Sequence, residues 1–178
     1  MFTIKYRIID GTVQELKYIS LDEFIRIFDG DIEGQIELNF NGKIIGFVNK
    51  EVNVAVEWLI WWFTLLNEMI YELNKLNSSK MDIPETDGIY IWLEVEEDLI
   101  NVRKVKGRSN FSNDEIDDVE QCEWDNIKIS KDEFINSIIR ASDSLIKEIY
   151  NINYRLLEAE SIKNLKRIIK QNYNYASF

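Results

Sequence analysis

VAVEWLIWWFTLLNEMIYELNKLN, residues 54–77, is the longest strongly periodic run in the chain. Leu59, Phe63, Leu66, Ile70, Leu73 and Asn77 advance by four, three, four, three and four, the spacing of one helical stripe. Trp58, Trp62, Leu65, Met69 and Leu76 form a second stripe beside it, and Glu57, Thr64, Glu68, Glu72 and Lys75 make the polar face. An apolar face this wide predicts a helix packed against more than one element, a sheet and another helix. Glu57 and Glu68 leave an uncharged run well below the ~20 residues a bilayer span needs, so no membrane insertion is expected. Trp61 departs from the pattern: at the helical repeat it falls among the glutamates. Either a loop or the C-terminus covers it, or it is an aromatic anchor for a partner.

Outward from this helix, the N-terminal half reads as strands and one short helix. Phe2, Ile4, Tyr6 and Ile8 alternate with polar residues as in a half-buried strand. Asp10-Gly11 reads as a hairpin turn, with Val13–Ile19 as the return strand. Ser20 and Glu23 form a capping box for a short helix carrying Phe24, Ile27 and Phe28, ended by Gly30. Gly34–Phe40 alternates again, and Asn41-Gly42 turns it into Lys43–Asn49.

After the central helix, residues 77–88 read as a loop through Pro84 to Asp87-Gly88. Ile89, Ile91, Leu93 and Val95 define one face of a strand, with Tyr90 and Trp92 on the other beside Glu94 and Glu96. Glu97-Asp98 turns the chain into Leu99–Val105; residues 107–121 read as a polar excursion, and Trp124–Ile129 as another strand. Ser130 and Glu133 form a second capping box ahead of a helix over Lys131–Tyr150, with a stripe of Phe134, Ile138, Leu145 and Ile149. A last helix spans about Arg155–Tyr173, acidic early and basic late, as its dipole favours. The expected fold is α+β: one domain, residues 1–178, in which an antiparallel β-sheet meander carries one long central helix and C-terminal helices packed on it.

Composition sets bounds. With 46% hydrophobic and 12% aromatic residues, a chain of 178 residues can bury a full core. One cysteine forms no internal disulfide, and no apolar leader is visible, so a cytoplasmic location is expected. The abundance of Ile, Asn and Lys is of the kind AT-rich bacterial genomes encode. A formal charge of −11 disfavours nucleic acid and anionic membranes and suits a basic protein partner.

The sequence excludes more chemistry than it offers. Histidine is absent, which removes the Ser-His-Asp and Cys-His arrangements and the commonest general base. Cys122 lies among Glu120, Glu123 and Asp125, whose charges raise its pKa and blunt its nucleophilicity. No dinucleotide, phosphate-loop or nucleophile-elbow motif occurs. Asp29, Asp31, Glu33, Gly34 and Ile36 match the first part of an EF-hand loop, but the twelfth position is Phe40 and the flanks are a helix and a strand. That stretch is read as a helix cap and turn with solvated acids. No catalytic, cofactor or metal residue is therefore assigned. The densest acidic run, Asp114, Glu115, Asp117, Asp118, Glu120, Glu123 and Asp125 with the aromatic Trp124, reads either as a solvated loop or as a patch that meets a basic protein surface. With Trp61, these are the candidate partner-binding residues.

The run Val54–Leu76, the hairpin GIYIWLEVEEDLINVRKV (88–105) and the segment IKISKDEFINSIIRASDSLIKEI (127–149) together resemble small acidic immunity proteins encoded beside bacterial polymorphic or contact-dependent toxins. The resemblance is one of layout and covers about two thirds of the chain. It implies a non-enzymatic protein that binds and blocks one cognate toxin; no binding residues carry over. Two alternatives stand beside it, a carboxylate-dependent hydrolase, with or without a metal, and a homo-oligomeric interaction module.

Overall fold

A computed structural model describes residues 1–107 and 120–176, without the side chains of residues 120–123. Strand β1 (Phe2–Ile8) is followed by helices α1 (Asp10–Leu16) and α2 (Leu21–Phe28), then by β2 (Glu33–Phe40), β3 (Lys43–Gly46) and the two-residue β4 (Glu57–Trp58). Helix α3 (Leu59–Leu76) runs directly into β5 (Ser78–Asp82), β6 (Ile89–Glu96), β7 (Leu99–Lys106) and β8 (Glu120–Ser130). Helix α4 (Lys131–Asn153), a 3₁₀ turn (Tyr154–Glu158), α5 (Glu160–Asn172) and a second 3₁₀ turn (Tyr173–Tyr175) complete the described order.

The fold is α+β, but its strands form two antiparallel sheets where one meander was expected. In the first, β2 is central: β1 lies along one side, and β3 and β4 lie end to end along the other. The second is a simple meander, β5-β6-β7-β8. Helix α3 joins the two sheets. Its buried residues Leu59, Phe63, Leu66, Met69, Ile70 and Leu73 share one apolar cluster with Phe2, Ile36 and Phe40 of the first sheet, Ile91, Leu93 and Val102 of the second, and Phe134 and Leu165 of α4 and α5. Each such side chain, fully removed from water, contributes about 2 kcal/mol before entropy.

Several expectations give way for physical reasons. The segment after Asp10-Gly11 is helix α1 and not a return strand: Ile9, Thr12 and Leu16 are buried at helical spacing, and the Val13 N–H donates to the Ile9 carbonyl at 2.9 Å. The apolar period outweighs the turn dipeptide. Part of the expected loop at 77–88 is strand β5, whose alternation is masked because only Ser79 and Met81 point inward. Its partner is the open edge of β6. The central helix begins at Leu59, not Val54, and Leu76 at its last turn is exposed.

The capping box at Ser20 and Glu23 forms in both directions. At α4 only half of one forms. The Ser130 hydroxyl accepts the Glu133 N–H at 3.3 Å, while the Glu133 carboxylate accepts the Phe2 N–H at 2.9 Å and so ties β1 to the helix.

One polar cluster lies inside the helical layer. The Asn67 amide of α3 donates to the Phe63 carbonyl and to the Ser142 hydroxyl of α4, both at 2.8 Å. The Asn172 amide of α5 donates to the Asn67 carbonyl at 2.8 Å and to its side-chain oxygen at 3.1 Å. All three side chains are fully buried. Hydrogen bonds of fixed length between three helices set their rotation and register, which apolar contacts alone leave loose.

Candidate functional site

The structure separates the two tryptophans that the sequence groups as partner-binding residues. Trp61, in the first turn of α3, is 45% exposed. Trp124 is 4% exposed, with its ring 6.0 Å from that of Phe40 and the Lys104 ammonium over it at 5.6 Å. Trp124 is therefore core and not the aromatic of an acidic surface patch; its strand turns it inward against the first sheet. Asp125 is exposed. Asp114, Glu115, Asp117 and Asp118 lie outside the described residues, as do the side chains of Glu120, Cys122 and Glu123.

Exposed apolar surface gathers instead in the chain just before α3. Ile44, Phe47, Val52, Val54, Val56 and Trp61 are all exposed, Val54 by 59%. Residues 47–56 make an excursion between β3 and β4, the two segments that share one side of β2. Gly46 starts it at φ +76°, where an added Cβ would lie 2.1 Å from the Ile36 carbonyl oxygen. Only glycine fits there. Ala55, near its end, is held at φ +52°, a conformation that costs a non-glycine residue about 1 kcal/mol.

What holds this excursion is a polar staple on the outer face of the first sheet. Arg7 and Gln35 are directly opposed on β1 and β2. Gln35 is fully buried. Its side-chain oxygen accepts from Arg7 Nε at 2.8 Å and from the Asn49 N–H at 3.0 Å, and its nitrogen donates to the carbonyls of Val52 and Val54 at 3.0 and 2.6 Å. Two donors and two acceptors are thus all used. The Arg7 guanidinium adds bonds to the Val52 carbonyl at 2.9 Å and to Asn53 Oδ1 at 2.7 Å. The backbone of the excursion is satisfied from within, while its valines point outward. Large apolar side chains on a pre-ordered segment are the composition of an interface core.

The head of α3 lies at the end of this segment. Asp31 accepts the N–H groups of Ile32, Ile60 and Trp61 at 2.6, 2.7 and 2.8 Å. Burial pushes its carboxyl above the ordinary range, and those three bonds pull it back. The acid at the third place of the EF-hand-like run is therefore a partly buried helix cap and not a freely solvated carboxylate. Glu57 of β4 accepts the Trp62 indole N–H at 2.8 Å. Burial raises its carboxyl as well, and the charge of Glu85 raises it further. Gly46 and Glu57, which bracket the excursion, both line a cleft of about 370 Å³. Its other walls are Ile44, Trp62, the turn through Glu85 and Thr86, and Lys104 of β7.

Among the described residues, no group of three or more Cys, Asp or Glu side chains is arranged to hold a metal ion, and no helix is long and apolar enough to cross a membrane. No protein-family model, curated protein or solved structure matches the chain. The staple was missed in the sequence because Arg7 and Gln35 are each ordinary polar positions of alternating strands. Val54 and Val56 read in the sequence as the start of the helical run, and nothing local marks them as exposed.

Proposed function

We propose that this chain is a non-enzymatic binding protein of the immunity type, which neutralises a cognate bacterial toxin by covering part of it. The observation that carries the proposal is the exposed apolar segment Phe47–Val56, held by Arg7 and Gln35 and followed by exposed Trp61. Pre-ordering that surface lowers the entropic cost of docking. The charge of −11 supports a basic partner, because complementary charge speeds encounter. The resemblance in layout to immunity proteins supplies the partner class.

The test is association with the product of the adjacent gene, purified and mixed with the full chain. A 1:1 complex that loses its toxicity, and that weakens with Trp61→Ala or Val54→Asp, is the expected result. Absence of a complex at micromolar concentration overturns the proposal.

A further inference from the structure

We propose that the cleft between β3, the head of α3 and the turn carrying Glu85 receives one cationic side chain, lysine or arginine, from the protein partner. The inference rests on the partner-binding reading and names the chemistry that the cleft selects.

Two carboxylates, Glu57 and Glu85, line the cleft. Glu57 gives one oxygen to the Trp62 indole. Among the described residues neither acid has an ion-pair partner. The one lysine in the wall, Lys104, pairs with neither; its ammonium lies over the Trp124 ring. Burial pushes the Glu57 carboxyl upward and the charge of Glu85 adds to it, so the two acids repel across a cleft whose one wall cation, Lys104, is ion-paired with neither. A cation placed between them relieves that repulsion.

Size and lining narrow the choice of cation. About 370 Å³ is at the small end of ligand pockets, room for one extended side chain. Ile44 and Trp62 offer apolar wall to a methylene stem, while the acids meet its charged head. Two carboxylates, one already hydrogen-bonded to an indole, are a poor donor set for calcium or magnesium, which take about six or more oxygens. The excursion 47–56 begins and ends at the cleft, so a partner seated on its valines brings a side chain to the opening.

The direct probe is N-acetyl-arginine amide, titrated into the full-length protein at low salt while the Trp62 indole N–H resonance is followed by NMR. The neutral isostere N-acetyl-citrulline amide is the control. We expect a saturable shift with arginine in the millimolar range, and binding at least about tenfold weaker with citrulline or in Glu57→Gln. Glu85→Gln, at an exposed turn residue, should weaken it in the same sense and serves should Glu57→Gln fail to fold. No saturable shift, or an equal shift with citrulline, overturns the inference. The probe needs no partner, so its failure is distinct from that of the binding proposal. A cognate toxin whose affinity is unchanged by Glu57→Gln and Glu85→Gln would overturn the cleft inference and leave the binding proposal standing.

Discussion

Two polar networks, built from the same kinds of group, do opposite work. Asn67, Ser142 and Asn172 join three helices from the inside, and the surrounding side chains are apolar and buried. Arg7 and Gln35 join a surface segment to the outer face of a sheet, and that segment exposes Phe47, Val52, Val54 and Val56. Each network satisfies backbone or amide groups that would otherwise be stranded. The first thereby defines how the core packs. The second holds in water a row of valines that would otherwise turn inward or stay disordered. Buried polar groups here serve packing in one place and presentation in the other.

The largest effect should come from the inner network. Asn67→Ala leaves the Asn172 amide and the Ser142 hydroxyl without their cross-helix partner, and should cost about 3 kcal/mol in urea unfolding. Its effect on partner affinity should be small once the protein is folded. A cost below about 1 kcal/mol would break the claim that this cluster sets helix register.

Gln35→Ala should cost somewhat less, about 2 kcal/mol, because the freed carbonyls of Val52 and Val54 can reach water. Its distinctive readout is local. Hydrogen exchange at the Asn49 amide should accelerate while the amides of α3 stay protected. Partner binding should weaken, since the segment must then be ordered on docking. Protected exchange at Asn49 would show that the excursion holds itself without the staple.

Trp61→Ala should change stability by about 1 kcal/mol or less, the ring being nearly half exposed. Loss of partner binding with stability retained assigns the ring to the interface; a loss of several kcal/mol would make it core.

The smallest effect is on pH. Burial holds the carboxyls of Asp31, Glu57, Glu68 and Glu148 above their ordinary values in the fold. The native state then binds more protons than the unfolded state above the ordinary carboxyl range, so stability rises as pH falls through those raised values. The gain is complete near the ordinary carboxyl values of about 4. Glu23 and Glu96 are held below their ordinary values, and their contribution is lost as pH drops past them. Urea midpoints should therefore rise as pH is lowered from neutrality toward the ordinary carboxyl range. A flat or opposite trend would contradict the partial desolvation of these acids.

Much of the architecture was legible from local pattern. The strands 2–8, 34–40 and 89–95, the capped helix at Ser20, and α4 from Phe134 to Ile149 follow from alternation or helical spacing. Strand β5 and helix α1 were not, because in each a tertiary surface supplied what the local pattern lacked: an open β6 edge for one, a buried site for Leu16 for the other. Of the candidate site, Trp61 falls off the helical stripe in the sequence, which leaves its cover open, and in the structure it is exposed. Trp124 was placed on the surface by its acidic neighbours and is buried by its sheet.

Local sequence was enough for most element types, the α+β class and the excess of acids, since these depend on residues near one another in the chain; α1 and β5 are the exceptions. Only the tertiary structure decided that the strands divide into two sheets, that Gln35 meets Val52 and Val54, and that Glu57 and Glu85 share a cleft. Those contacts join residues far apart in sequence or on separate elements. Their energies arise only when packing excludes water from both sides at once.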